Sequence, residues 1–391
     1  MEIMKKQMNE ARGVPENISK YSKIVFDKVL AKLKNDNFFM MFDSLSGYID
    51  APYKLLKDKK LVEIDRVLIS INFDFQSSYD IKNIADQNPN ITLKTDELLL
   101  TSFSMGFEVD DELTTKNNLK INRTSTPTLQ INLLASDELN NIGYNVYELL
   151  KNNYDEVLSK FGHEIMHYIN MEAKGEDDLA LRAKYLTVAN SRGVTNTDTL
   201  NDFVFNLYYL ISTENIVRPS ELITFLESKK ITKKQFLQSY YDSEIYKTFN
   251  ICENTKYEQL YNNLDVELKK ELDPQSYNDY TKDDIISNVF KQTLTNMIYT
   301  GRDFIKKVII EKMPNSSLDE TFEAFSKKFN SFLQNHLFIK YKSVVINNKP
   351  SRDIDTEKTY RAIIKDMNIT ATKMKKKLSK IYEDIPNEYE N

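Results

Sequence analysis

The spacing of apolar residues along the chain changes twice. Near 16–45, apolar side chains recur at close to helical spacing, which predicts a leading helix. These residues are Ile24, Val25, Phe26, Val29, Leu30 and Leu33. From about 60 to 135, β-branched or alternating runs are separated by clusters of Asn, Asp, Pro and Ser, a pattern typical of strands. After about 144 the pattern is helical almost throughout and is punctuated by prolines.

Four runs carry the predicted strands, which we interpret as four or five strands of one sheet. They are LVEIDRVLISINFDF (61–75), NITLKTDELLLTSFSMGFEVD (90–110), LKINR (119–123) and TPTLQINLLA (126–135). The main predicted helices cover roughly 154–174, 199–211, 219–229, 233–249, 257–271, 282–312, 318–345 and 355–383. The sequence therefore predicts an α+β fold. Its predicted parts are a helix and β-rich sheet sub-domain (1–140), a central helical segment (141–230) and a mostly α-helical C-terminal half (231–391).

Composition removes several classes of protein. The chain has 391 residues, 41% of them hydrophobic, and 53 Lys and Arg against 58 Asp and Glu give a net charge of −5. Because this balance is slightly acidic, we expect no nucleic-acid partner. Only eight glycines are present, and no two are closer than 13 residues. The GxGxxG, GxxxxGK and GxSxG motifs need closely spaced glycines, so dinucleotide enzymes, P-loop NTPases and serine hydrolases of that type are excluded.

Cysteine content and hydropathy bear on the compartment. Cys252 is the single cysteine, so the chain forms neither an internal disulfide nor a multi-cysteine metal site, and a reducing compartment is favoured. The amino terminus MEIMKKQMNEARGVPEN lacks the apolar core of a signal peptide, and nowhere do about 18 apolar residues run together. We therefore expect a cytoplasmic protein, or a component of a phage virion, with no membrane partner.

One short motif carries candidate chemistry. His163 and His167, two of only three histidines, flank Glu164 in FGHEIMHYIN, which is HExxH. On a helix, residues four apart lie on one face, so two imidazoles at this spacing can share a metal ion. The apolar residues of this segment lie on the opposite side; they are Leu158, Phe161, Ile165, Tyr168 and Ile169. Chance would produce this motif about 0.002 times in such a chain, and two histidines without a metal role are the alternative interpretation.

The segment GHEIMHYIN resembles the active-site helix of the zincin superfamily of zinc metallopeptidases. The resemblance implies Zn²⁺ as the cofactor, with His163 and His167 as its ligands. It also implies that Glu164 is the general base for a zinc-bound water. A zincin-like core places a twisted mixed sheet before this helix, and its edge strand holds extended substrate by main-chain pairing. The nearest upstream candidate for that strand is TPTLQINLLA (126–135).

A catalytic zinc needs a third protein ligand and one open position. Asn170 and Ala173 stand where the metzincin pattern HExxHxxGxxH has glycine and histidine, so that class is excluded. No acidic residue lies between Asp178 and Asp198, so the thermolysin-like spacing of the third ligand is not met either. The third ligand must therefore come from further along the chain.

The preferred third ligand is Glu214 in LYYLISTENIVRPSEL, 47 residues beyond His167. This segment resembles the Tyr-rich helix and Ser/Thr-x-Glu ligand segment of gluzincin-like peptidases of bacteria and their phages. The other candidate ligands are Asp198, in a segment faintly similar to the aspartate zincins, and Glu221. Glu214 also has a simpler interpretation, because an acidic residue early in a helix favours the helix dipole.

Further candidates surround this segment. Tyr208, Tyr209 and Arg218 are candidate catalytic residues, because a hydroxyl or guanidinium near zinc can stabilise an oxyanion. Both tyrosines are also explained by core packing. Arg218 and Pro219 depart from the small-residue helix that the gluzincin-like families continue here. His336, the third histidine, is interpreted as an ordinary helix residue.

The sequence thus predicts a zinc-dependent metallopeptidase that acts on a polypeptide substrate, with its active-site and third-ligand helices in 141–230. Glu164 favours an enzyme, because a structural site is more often closed by four protein ligands. The alternative is a non-catalytic zincin-fold structural or interaction protein, for example a phage virion or host-interaction component. A zinc-dependent hydrolase that acts on a non-peptide amide or a cell-wall peptide is a further alternative.

The C-terminal helices carry no motif. Long helices at 282–312, 318–345 and 355–383 could shape the substrate cleft or dock a protein partner. A lysine run near the C-terminus is expected to form one solvated helix face. It comprises Lys373, Lys375, Lys376, Lys377 and Lys380.

Overall fold

The computed structural model describes residues 17–57, 60–87, 93–109, 125–174, 197–210, 212–271, 283–296 and 356–387. The chain divides into two compact units. Unit 1 comprises 1–175, 217–236 and 384–391, and unit 2 comprises 176–216 and 237–383. The three-part organisation expected from the sequence stays a prediction.

Unit 1 contains the sheet and the helices packed on it. Its elements in chain order are α1 (Ile18–Lys34), β1 (Phe39–Met40), β2 (Ser44–Lys57), β3 (Lys60–Gln76), α2 (Ser78–Gln87), β4 (Leu98–Val109), β5 (Ser125–Ser136), α3 (Ile142–Asn152) and α4 (Tyr154–Lys174). Two helices follow. Helix α5 (Asp198–Tyr209) belongs to unit 2, and α6 (Ser212–Ser228) is counted with unit 1 from Val217 onward.

Unit 2 is helical throughout its described residues. Its further elements are α7 (Lys233–Asp242), whose first turn is counted with unit 1, α8 (Glu244–Asn254), α9 (Tyr257–Glu271), α10 (283–296), α11 (Thr356–Ser379) and a 3₁₀ turn (Lys380–Asp384). Tyr360 is fully buried against Phe290, with ring centroids 4.3 Å apart, and its hydroxyl donates to the Phe290 carbonyl. Among the described residues, no helix is both long and apolar enough to cross a bilayer.

The five strands form one mixed sheet in the order β1-β2-β3-β5-β4. Strands β3 and β5 are parallel, with Leu68 opposite Thr128, and the other neighbours are antiparallel. The α+β class predicted from the sequence is therefore confirmed. The run 126–135 falls within β5, which is paired on both sides and so has no free edge for a substrate. That part of the prediction is wrong, and the edge strand next to β5 is β4.

The apolar face predicted for the active-site segment is confirmed. Helix α4 has the predicted bounds, 154–174, and Phe161 packs between Phe26 of α1 and Phe103 of β4, at centroid distances of 4.8 and 6.1 Å. Leu158 and Ile165 are likewise buried. This packing attaches the helix to the sheet through one face and leaves its other face for polar groups.

Other boundaries differ from the prediction, each for a local reason. The leading helix ends at Lys34, and the chain then enters strand β2, which the sequence analysis missed. The predicted helix 233–249 is two helices, because Ser243 accepts a hydrogen bond from the Tyr246 N–H and so caps α8. Helix α6 continues through Pro219 instead of starting there. The predicted strand 119–123 and helix 318–345 lie outside the described residues.

The predicted solvated lysine face is only partly observed. Lys373, Lys376 and Lys380 are exposed. Lys375 is half-buried and donates to the Glu253 carboxylate, and Lys377 is half-buried as well, with its pKa lowered by burial. The helix therefore uses part of this run for packing within unit 2.

Candidate metal centre

Helix α4 holds the two histidines in a buried setting. From Val157 to Asn170 every residue is buried except Lys160 and His167, which are half-buried. His163 is 5% exposed and Glu164 is 9% exposed. A buried imidazole and a buried carboxylate need polar partners, since burying such groups alone is costly.

The two imidazoles present the same kind of atom to each other. Nε2 of His163 lies 3.0 Å from Nε2 of His167, and the two rings are close to perpendicular, at 74°. A tetrahedral zinc ion about 2.1 Å from each nitrogen needs its two donors about 3.4 Å apart. The observed separation is within a few tenths of an ångström of that value, so the pair fits a metal ion with little movement.

Glu221 determines which nitrogen of His163 is available. One of its carboxylate oxygens, Oε2, lies 2.9 Å from Nδ1 of His163. A carboxylate can only accept, so Nδ1 carries the proton and Nε2 keeps its lone pair. This is the arrangement by which protein carboxylates orient metal-binding histidines. Glu221, one of the candidate ligands predicted from the sequence, thus contacts the ring from the side away from His167.

Two cations surround the Glu221 carboxylate. Lys160 donates to Oε1 at 2.9 Å, and Arg218 donates to Oε2 at 2.5 Å. Burial by itself would raise the pKa of the Glu221 carboxyl, but the charges of Lys160 and Arg218, together with His163, hold that pKa well below its usual range. The carboxylate therefore stays ionised and accepts a hydrogen bond from the Nδ1–H group of His163.

Glu214 joins the histidines in one cluster. His163, His167 and Glu214 each offer one ligand atom, and these atoms all lie within 4.8 Å of one another. Glu214 is fully buried, which the helix-dipole interpretation alone does not require. Glu214, Arg218 and Glu221 are spaced four and three residues apart on α6, so one helix face presents all three.

The close approach of α4 and α6 depends on a glycine. A Cβ atom built at Gly162 would lie 2.6 Å from Oγ1 of Thr224 and 3.2 Å from its Cβ. Only a residue without a side chain allows the two helices to be this close beside His163. Gly162 therefore contributes to the distance between His163 and the residues of α6 that contact it.

Glu164 lies beside the metal-facing nitrogen. Its Oε1 is 3.9 Å from Nε2 of His163, and the side chain is 12% exposed. The carboxylate therefore lies close to the nitrogen that would bind a metal ion, in the region where a general base is needed. The prediction for Glu164 is compatible with this position.

The remaining candidates are placed as follows. Asp198 is exposed at the start of α5, where Glu267 accepts from its backbone N–H. Tyr209 is buried against Phe249 in unit 2, at a centroid distance of 6.0 Å, and Tyr208 is half-buried. The oxyanion role of the tyrosines and of Arg218 stays a prediction. His336 lies outside the described residues.

Sequence analysis missed Lys160 and did not anticipate the contacts that Glu221 and Arg218 make. Lys160 stands three residues before His163 on the same helix face, a position that the helical spacing could have singled out. The role of Glu221 depends on a contact across 58 residues of sequence, which no local pattern reveals. Arg218 was predicted as a candidate oxyanion-stabilising residue and as a departure from the family pattern, whereas the structure shows it donating to Glu221.

Comparison of the chain with protein-family models, with curated proteins and with solved structures found no match. The function must therefore be inferred from the residues of the site themselves.

Proposed function

We propose that the protein is a zinc-dependent metallopeptidase with a zincin-like catalytic core. The observation that carries the proposal is the pair of Nε2 atoms, 3.0 Å apart, on one buried helix, with the Glu164 carboxylate 3.9 Å from one of them. His163, His167 and Glu214 would hold the ion. Three protein ligands leave a fourth position open, as a catalytic site requires. Zinc, when bound, polarises a peptide carbonyl and lowers the pKa of a water molecule towards about 7.

Within this proposal Glu164 has the central role in proton transfer. Its carboxylate would accept a proton from the attacking water and then donate it to the amine that leaves. Glu221 accepts a hydrogen bond from Nδ1–H of His163 and so orients the imidazole ring. It is therefore a positioning residue.

We assign substrate pairing to β4 instead of β5. Within the described residues, β4 has a strand partner on one side only. At the start of β4, the Leu100 N–H donates to the Leu93 carbonyl, and the Thr95 N–H donates to the Leu98 carbonyl. The outer edge from Thr101 onward has no strand beside it among those residues. An extended polypeptide can add to such an edge through main-chain hydrogen bonds. Phe103 connects this strand to α4 through Phe161.

The test combines metal content with cleavage. Zinc bound to purified wild-type, Glu164→Gln and Glu214→Ala proteins is measured by plasma mass spectrometry, and hydrolysis of unstructured casein is assayed alongside. We expect about one zinc per wild-type chain. Glu164→Gln should keep the zinc and lose cleavage, whereas Glu214→Ala should lose the zinc.

Glu148→Gln is the matched control, because Glu148 is only partly buried on α3 and its contact with Lys151 is long, at 3.9 Å. It should keep both zinc and cleavage. A wild-type protein that cannot be loaded with zinc would contradict the proposal. Zinc retained by Glu214→Ala would instead show that Glu214 is not the third ligand.

A second candidate is an interaction protein that keeps the same core without catalysis. The observation in its favour is a run of four exposed apolar residues, Phe39, Met40, Met41 and Phe42, of which Phe42 is 93% exposed. Runs of this kind often mark interaction surfaces. Zinc binding without any cleavage, unchanged in Glu164→Gln, would favour this candidate.

A further inference from the structure

One polar side chain on the metal-binding face of α4 has no role in the site described so far. Asn170 is 8% exposed, and neither its amide nitrogen nor its amide oxygen has a hydrogen-bond partner among the described residues. An amide buried without partners costs free energy comparable to lost hydrogen bonds. Such a group in a folded protein calls for an explanation.

The helix places this amide beside the histidines. Asn170 follows His167 by three residues and His163 by seven. At 100° per residue it projects within about 20° of His163 around the helix axis, one turn beyond His167. Asn170 therefore continues the row formed by Lys160, His163 and His167, and its side chain faces the same way as the metal ligands.

From this placement we infer that Asn170 binds the peptide group of the substrate next to the bond that is cleaved. The inference rests on the proposed function. A side-chain amide offers one acceptor oxygen and an N–H donor, and a peptide group offers one N–H donor and one carbonyl acceptor. The two groups can therefore pair, which would satisfy both atoms of Asn170 when substrate is bound. Asn170 would then help to orient the polypeptide relative to Glu164.

This assignment predicts an unusual combination of effects. In a merely structural role, replacing Asn170 would remove hydrogen bonds and lower the melting temperature. In a substrate-binding role, the apolar variant Asn170→Leu, of similar size, removes unsatisfied polar atoms and raises it. The same variant should bind substrate less well. Stability and substrate affinity are therefore expected to change in opposite directions.

The experiment measures three quantities on Asn170→Leu. Without substrate, the melting temperature should rise by about 2–4 °C. With casein, KM should rise about tenfold while kcat changes by less than about twofold, because the lost contact binds ground state and transition state alike. In the zinc-loaded Glu164→Gln background, fluorescence anisotropy should show labelled casein binding about tenfold more weakly when Asn170→Leu is added. Zinc content should stay unchanged.

Asn153→Leu is the matched control, because the Asn153 amide donates to the Leu149 carbonyl at 2.8 Å. The same substitution there removes a made hydrogen bond and should lower the melting temperature while leaving casein affinity unchanged.

The outcomes separate this inference from the proposed function. If Asn170→Leu leaves casein KM and affinity unchanged while the wild type cleaves normally, the inference is overturned and the proposed function stands. A lowered melting temperature in Asn170→Leu assigns the amide a structural role and also overturns it. If the wild type cleaves no casein and Glu164→Gln binds none, the proposed function fails and this inference fails with it.

Discussion

Substitution of Gly162 by alanine tests how the two helices of the site are held together. The added Cβ would lie 2.6 Å from Oγ1 of Thr224, whereas an ordinary contact begins at about 3.4 Å. Thr224 or the helix that carries it must therefore move by about 0.8 Å, the difference between these distances. Overpacking of this kind costs about 1–3 kcal/mol. The better helix propensity of alanine offsets up to about 1 kcal/mol, which leaves a net cost of about 1–2 kcal/mol from the middle of that range.

The same displacement would reach the candidate metal centre. Glu221 lies one turn before Thr224 on α6, and a shift of about 0.8 Å would lengthen its 2.9 Å contact with His163 to about 3.7 Å, beyond hydrogen-bond range. Loss of such a supporting carboxylate weakens metal binding by about tenfold to a hundredfold. We therefore expect Gly162→Ala to lower the melting temperature by about 2–8 °C and to weaken zinc binding.

Differential scanning calorimetry and competition with a fluorescent zinc chelator measure the two effects. Gly143→Ala is the control, because the nearest atom to its Cβ would be Asp36 Oδ1 at 3.6 Å, an ordinary contact. The double variant Gly162→Ala/Thr224→Ala should recover much of both losses, because it removes Oγ1. If Gly162→Ala matches the wild type in melting temperature and zinc affinity, the close approach of α4 and α6 does not control the site.

Three further outcomes follow from the charges and the burial. Because the pKa of Glu221 is held well below its usual range, its contribution to the free energy of unfolding is complete above about pH 4.5 and is lost as pH falls further. The free energies of unfolding in urea of the wild type and Glu221→Gln, measured between pH 3 and 7, should therefore converge only at the acid end. Lys160→Met should weaken zinc binding by about tenfold, whereas Lys151→Met, on the exposed surface of α3, should change it little by the same chelator competition. Burial raises the pKa of the Cys252 thiol to about 12, so a thiol reagent at pH 8 should react with it only after unfolding, and rapid labelling of the native protein would contradict its buried position.

Local patterns predicted the parts of the fold whose signal is long and regular. Helix α4 was predicted with its observed bounds because its apolar residues recur over 21 residues. Strand β2 was missed although Leu45, Ile49 and Ala51 are buried in it, because Gly47 and Pro52 interrupt the alternation and Pro52 lies at a break in register between Asp50 and Tyr53. Two interruptions leave too few consecutive alternating residues in this segment to predict a strand.

Which strand lies at the edge of the sheet next to β5 could not be predicted, for a different reason. The run 126–135 is the nearest predicted strand upstream of the HExxH helix, but a strand pattern indicates that a segment is a strand and not which strands lie beside it. Sheet order depends on pairing between segments far apart in sequence, here β3 with β5 and β5 with β4. The edge therefore fell on β4, which precedes β5 in the chain.

The charges around the two histidines explain why such a site can be buried at all. Lys160 and Arg218 supply two positive charges to the single negative charge of Glu221, and Glu164 and Glu214 add two further carboxylates nearby. With neutral imidazoles and ionised carboxylates, the five charged side chains sum to one negative charge, so a divalent cation would bring the cluster to one positive charge. Two cations that contact Glu221 would thus assist a bound metal ion indirectly. They keep a carboxylate ionised beside Nδ1 of His163, where it can hold the ring in place.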